Sequence, residues 1–126
     1  MDVKFERPAE EALAYIMRDD EVLGYKVLAR LKKLKVDPYP HSFSDVTINS
    51  ETVQFLKDQG FDVRKLRCSE FDQYRVFYFV NEKTELIVIC EIIKRTDDTY
   101  NEKALHIIRI KEAYKKHCSL ISGSQS

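Results

Sequence analysis

The chain has 126 residues, 44% of them apolar and 33% charged, and its 21 Lys/Arg are balanced by 21 Asp/Glu. That is enough chain for one hydrophobic core, without the excess of positive charge that by itself marks a nucleic-acid binder. No apolar run approaches the roughly 18 residues of a membrane-spanning helix, the start Met1 to Arg7 lacks a signal-peptide core, and Cys68, Cys90 and Cys118 match neither a disulfide framework nor a zinc knuckle.

These bounds lead to the expectation of a cytoplasmic protein with free thiols, no metal or other cofactor, and no membrane partner. The charge is slightly uneven: residues 1–60 carry 9 Lys/Arg against 11 Asp/Glu, and the rest 12 against 10. A basic patch is therefore a local matter.

Val3 and Phe5 alternate with charged residues, as a short edge strand does. Pro8 suits the first turn of a helix, where its missing N–H costs nothing. Ala9, Ala12, Leu13, Ile16 and Met17 then form an apolar stripe at helical spacing. Asp19-Asp20 breaks this helix and caps a second, in which Val27, Leu28, Leu31 and Leu34 share a face with Gly24. A glycine there costs helix propensity but lets another backbone come close. The short connection predicts an antiparallel helical hairpin, with Lys32, Lys33 and Lys35 on its solvated outer face.

Asp37-Pro38-Tyr39-Pro40-His41-Ser42 is loop chemistry. Ser50 caps a short helix carrying Val53 and Leu56; Gly60 fits its left-handed end, and Phe61 folds back after it. Residues 61–68 alternate as a strand with one wet face, and Ser69 to Gln73 is a polar turn. Tyr74-Arg75-Val76-Phe77-Tyr78-Phe79-Val80 has the aromatic, β-branched composition of a packed strand. After the turn Asn81 to Thr84, Leu86 to Ile93 is apolar on both alternating faces, as a doubly buried strand should be. Asn101 caps a last helix with Ala104, Ile107, Ile108, Ile110 and Tyr114 as its apolar face.

Helices come first and strands run together later, which predicts an α+β fold. A helical hairpin packs on a small antiparallel sheet, followed by a C-terminal helix. The tight turns after Cys68 and Val80 require antiparallel neighbours. One domain is expected over residues 1–118, with a flexible tail over 119–126.

Three features in this order resemble the RelE/ParE toxin superfamily of toxin–antitoxin systems. They are the helical hairpin before the sheet, Leu66-Arg67 leading through a turn into Tyr74-Arg75-Val76-Phe77-Tyr78, and Lys94-Arg95 with Tyr100 after the next strand. The layout covers most of residues 3–118, and the recognisable motifs about 61–116. The RelE branch implies a metal-independent messenger-RNA endonuclease working on the ribosome and held silent by a cognate antitoxin. In that reading a ribose 2′-OH attacks the adjacent phosphate and leaves a cyclic phosphate. Arg75 matches the arginine that holds the phosphate, Arg95 the one that stabilises the transition state or the leaving oxygen, and Tyr100 a candidate proton-transfer group. Lys65 and Arg67 correspond to a basic pair on the preceding strand, and Lys94 joins them in binding RNA phosphates. The ParE branch implies instead a DNA gyrase inhibitor that acts by binding, and a third reading is a non-toxic interaction module on the same fold.

Physical chemistry supports part of this assignment. Guanidinium groups present planar paired donors and stay charged, which suits a phosphoryl transition state. A free tyrosine has a pKa near ~10 and needs nearby cations before it acts as a base. Each residue also has a structural reading: Arg75 pairing with Glu91 or Asp72, Arg95 with Asp97 and Asp98, Tyr100 packing at a helix start, and His106 capping or packing. The neutral charge, Asp97-Asp98 and the long connection over 37–60 depart from the family pattern.

Overall fold

A computed structural model describes residues 1–40, 45–48, 50–95 and 103–119. Its centre is the pair β4 (Tyr74–Asn81) and β5 (Leu86–Lys94), antiparallel from Tyr74↔Lys94 to Asn81↔Leu86. A register shift at Phe77/Tyr78 leaves Cys90 as the extra residue on β5, a β-bulge. β3 (Arg64–Cys68) adds antiparallel to β4, and β2 (Asp45–Ile48) antiparallel to β3. β1 (Asp2–Phe5) lies on the other edge, parallel to β5. The strand order is β1-β5-β4-β3-β2.

The α+β layout, the edge strand and the antiparallel β3-β4-β5 meander follow the sequence reading. Two details go beyond it. The sheet is mixed, because β1 is separated from β5 by most of the chain and so is free of the antiparallel constraint of a tight turn. The long connection over 37–60 contains β2, a four-residue strand beyond the loop predicted over 37–42, whose signal is drowned by the turn formers around it.

Both faces of the sheet are covered. On one side lie α1 (Arg7–Asp19) and α2 (Glu21–Lys32), whose Leu13, Ile16, Val27 and Leu31 pack on Leu66, Val76, Tyr78, Ile87 and Ile89. On the other lie α3 (Glu51–Asp58) and α4 (Lys103–Tyr114), whose Val53, Leu56 and Ile110 pack on Phe77, Phe79, Val88 and Ile93. Alternate β4 residues thus feed opposite cores. Phe71, in the turn read as polar, is fully buried and anchors that turn to the hairpin side. Ile108, placed on the apolar face of the last helix, is 52% exposed.

The predicted caps form. Asp20 accepts from the Leu23 N–H and Ser50 from the Val53 N–H. Gly60 has φ +91°, its N–H bonded to the Lys57 carbonyl and that of Phe61 to the Leu56 carbonyl, the paired bonds of a Schellman end. Glu6, at the start of α1, does not cap it with its side chain. Its carboxylate instead pairs with His117 Nε2 and lies 3.5 Å from Lys116 Nζ. Both belong to the π-helical turn that extends α4 through Lys115–Ser119. Asn101 and the tail beyond Ser119 lie outside the described residues.

Gly24 is where α1 and α2 touch. A Cβ there would stand 2.3 Å from Met17 Cγ and 2.8 Å from Met17 Cα, and the backbone atom cannot step aside. Gly24→Ala gains about 1 kcal/mol of helix propensity against an overpacking cost of about 1–3 kcal/mol. A lowered thermal midpoint is therefore expected, although the same exchange in an exposed helix raises it.

Candidate anion-binding site

The strand ends at the Tyr74/Lys94 rim gather arginines from three elements. Arg75, in register with Ile93, points to the α3/α4 face and extends toward the rim. Its Nη1 donates to the carbonyl of Asp72 at 2.5 Å and to that of Tyr74 at 3.2 Å, and stands 3.5 Å from Asp72 Oδ1. Its side chain is only 12% exposed. Arg95 leaves the end of β5, its backbone N–H bonded to the Gln73 carbonyl at 2.6 Å. Its Nη1 reaches Asp72 Oδ2 at 3.5 Å, with the side chain 65% exposed. One carboxylate therefore spans both guanidinium groups.

Burial pulls the Arg75 pKa below its ordinary value; Asp72 opposes that, while Arg95 and Arg67 add to it. The group stays charged at neutral pH, since guanidinium pKa values exceed ~12. Arg67, next after the Leu66↔Val76 pair on β3, comes beside Arg75 across the strands. Lys65, paired across the strands with Phe77, sits with its Nζ 5.6 Å from that ring centroid.

Of the six residues singled out in the sequence, Arg67, Arg75 and Arg95 thus come to one rim, and Lys65 lies farther along β3, opposite Phe77. Lys94 pairs with Tyr74, which packs against the helical-hairpin core, so it belongs to the opposite face. Tyr100 lies outside the described residues, as do Asp97 and Asp98. The ion pair that Arg95 makes among the described residues is with Asp72, and Arg75 pairs with Asp72 rather than Glu91.

Glu91 has a different setting. It is 3% exposed, opposite Phe77 beside the bulge, with His106 Nδ1 at 3.5 Å and Arg109 Nη1 at 3.7 Å, both from α4. A buried carboxylate needs such partners, and these contacts are at ion-pair rather than hydrogen-bond distance. The signal was present in the sequence: a lone charge within a strand apolar on both faces. Burial pushes the hydroxyls of Tyr39, Tyr74, Tyr78 and Tyr114 above their ordinary pKa, which disqualifies these four as bases at neutral pH. Among the described residues no cluster of His, Cys, Asp or Glu is arranged to hold a metal ion.

The two rim arginines differ in structural weight. Arg75→Gln removes charge-assisted bonds to two backbone carbonyls at the base of the turn, and hydrogen bonds to charged groups contribute about 1.5–3 kcal/mol. Arg95→Gln removes one exposed ion pair, worth about 0–1 kcal/mol. Urea denaturation is expected to show a clear loss for the first and almost none for the second; equal losses would contradict this division.

No protein-family model and no curated protein sequence matches the chain. Solved structures do. The archaeal RelE–RelB complex from Pyrococcus horikoshii OT3 aligns at 21% identity and TM-score 0.52, covering 76% of this chain and 96% of that one. The YoeB dimer from Staphylococcus aureus aligns at 15% and 0.53, and the heterotetrameric YoeB–YefM toxin–antitoxin complex at 15% and 0.51. Each of these covers 76% of this chain and 97% of the matched one. These matches show that the chain shares the fold of the RelE and YoeB structures.

Proposed function

We propose that this chain is the toxin of a toxin–antitoxin pair and acts as a ribosome-dependent messenger-RNA endonuclease. The observation that carries the reading is the convergence of Arg67, Arg75 and Arg95 at one rim of a fold matched by RelE and YoeB. In the proposed reaction the ribose 2′-OH attacks the adjacent phosphorus and the 5′ oxygen leaves. The products are a 2′,3′-cyclic phosphate and a 5′-hydroxyl end. Negative charge builds on the phosphorane oxygens, where fixed guanidinium groups lower the barrier most. Arg75, packed and tied to two carbonyls, is a fixed donor; Arg95, exposed and anchored by its backbone, reaches from the rim.

One proton must leave the 2′-OH and one must reach the 5′ oxygen. Tyr100 takes a proton-transfer role by its place after Lys94-Arg95. The Glu91–His106 pair favours a second assignment, with His106 moving a proton on the same face. The partner that silences the site is an antitoxin presenting an acidic segment to the rim, in keeping with the RelE–RelB and YoeB–YefM complexes of the matched structures.

Induced expression of the lone chain, with primer extension on a reporter message, tests the proposal. Growth arrest with new ribosome-dependent breaks is expected, and Arg95→Ala should reduce cleavage about 100-fold or more, the usual cost of losing one transition-state donor. Arrest with intact messages would favour gyrase inhibition by binding. No arrest would leave an interaction module.

A further inference from the structure

We propose that the Asp72 carboxylate is a resident competitor of the anion site, occupying the position between Arg75 and Arg95 that an RNA phosphodiester must take. The inference rests on the rim being the RNA site proposed above, and concerns what controls access to it.

Asp72 meets Arg75 Nη1 with Oδ1 and Arg95 Nη1 with Oδ2, both at 3.5 Å. A single-charged group with two equivalent oxygens thus bridges two guanidinium groups, and a phosphodiester offers the same charge and the same pair of oxygens. The two ligands are alternatives for one place.

The carboxylate is not what holds the arginines there. Arg75 is fixed by the carbonyls of Asp72 and Tyr74 and by burial, and Arg95 by its backbone bond to Gln73. Both contacts of the carboxylate lie at the outer limit of hydrogen-bond distance, and its side chain is 55% exposed. Buried Phe71 anchors the turn beside it, so the carboxylate can swing into water without unfolding the rim. Removing its charge leaves the donors in place and the site emptier and more positive. The chain accordingly holds free RNA weakly, and productive binding needs further contacts elsewhere along the strand.

The test uses the purified full chain and a fluorescently labelled single-stranded 2′-O-methyl RNA, which cannot be cleaved at the 2′ position. Anisotropy at low salt is compared for wild type, Asp72→Asn, Asp72→Ser and Arg95→Gln. One exposed and one half-exposed ion pair of ordinary strength predict binding about 3- to 10-fold tighter for Asp72→Asn. Arg95→Gln should weaken it. Asp72→Ser carries the same expectation and stands in if the asparagine variant does not fold. Weakened binding by Arg95→Gln with unchanged or weaker binding by the Asp72 variants overturns the competitor while the RNA site stands. No effect of Arg95→Gln removes the RNA site and the competitor together.

Discussion

Strand β5 is nine residues long, with Ile87, Val88, Ile89 and Cys90 almost wholly buried in succession. A strand of that kind must be covered on both faces, and burial of its side chains contributes about 25 cal/mol per Å² of apolar surface removed from water. The helical hairpin covers one face; α3 and α4 cover the other. Everything else in the chain is placed by this requirement. It makes β5 an interior strand, with β4 on one side and β1 on the other. Along β5 itself a charged side chain reaches water at the end, at Lys94, while Glu91 within the strand stays buried.

The arginines are where that constraint allows them to be. Alternation along β4 puts Arg75 on the same face as Phe77 and Phe79, under α3 and α4. Its guanidinium cannot remain in that core without donors satisfied; Asp72 in the turn before β4 supplies a carbonyl and a carboxylate, and Tyr74 at the start of β4 a second carbonyl. In the proposed reaction this rigidity has a use, because a donor already fixed needs no reorganisation when charge develops in front of it. Glu91 shows the same logic in reverse. The bulge sets it beside Cys90 within the apolar strand, and α4 answers with His106 and Arg109.

Much of the fold was legible because its signals are local. Asp20, Ser50 and Gly60 declare helix ends through hydrogen bonds within a few residues, and the two-faced apolar run declares β5. What stayed hidden depends on distant residues. Val46 and Ile48 are too few to announce β2, which exists by pairing with β3. Phe71 reads as one aromatic residue in a polar turn until the hairpin closes over it. In the site, Arg75 and Arg95 stand out as cations at the ends of apolar strands, whereas Asp72 looks like an ordinary turn residue. Its contact with Arg95 joins residues far apart in sequence, so only the folded chain reveals that one carboxylate serves both arginines.

A chain with no net charge can still carry a strong local field. Arg67 from β3 and Arg95 from the end of β5 both lie near enough to Arg75 on β4 to affect its ionisation, whereas attraction over longer distances is screened within about 10 Å at 0.1 M salt. Long-range attraction for a polyanion is therefore weak, and what the rim offers is short-range geometry: paired donors at fixed positions with a carboxylate between them. A site built in this way discriminates by contact rather than by charge alone. On the proposed reading, it takes a phosphate that other contacts bring into place, since diffuse attraction is screened. The neutral composition and the arginine rim are then two parts of one arrangement, with Asp72 the residue in which they meet.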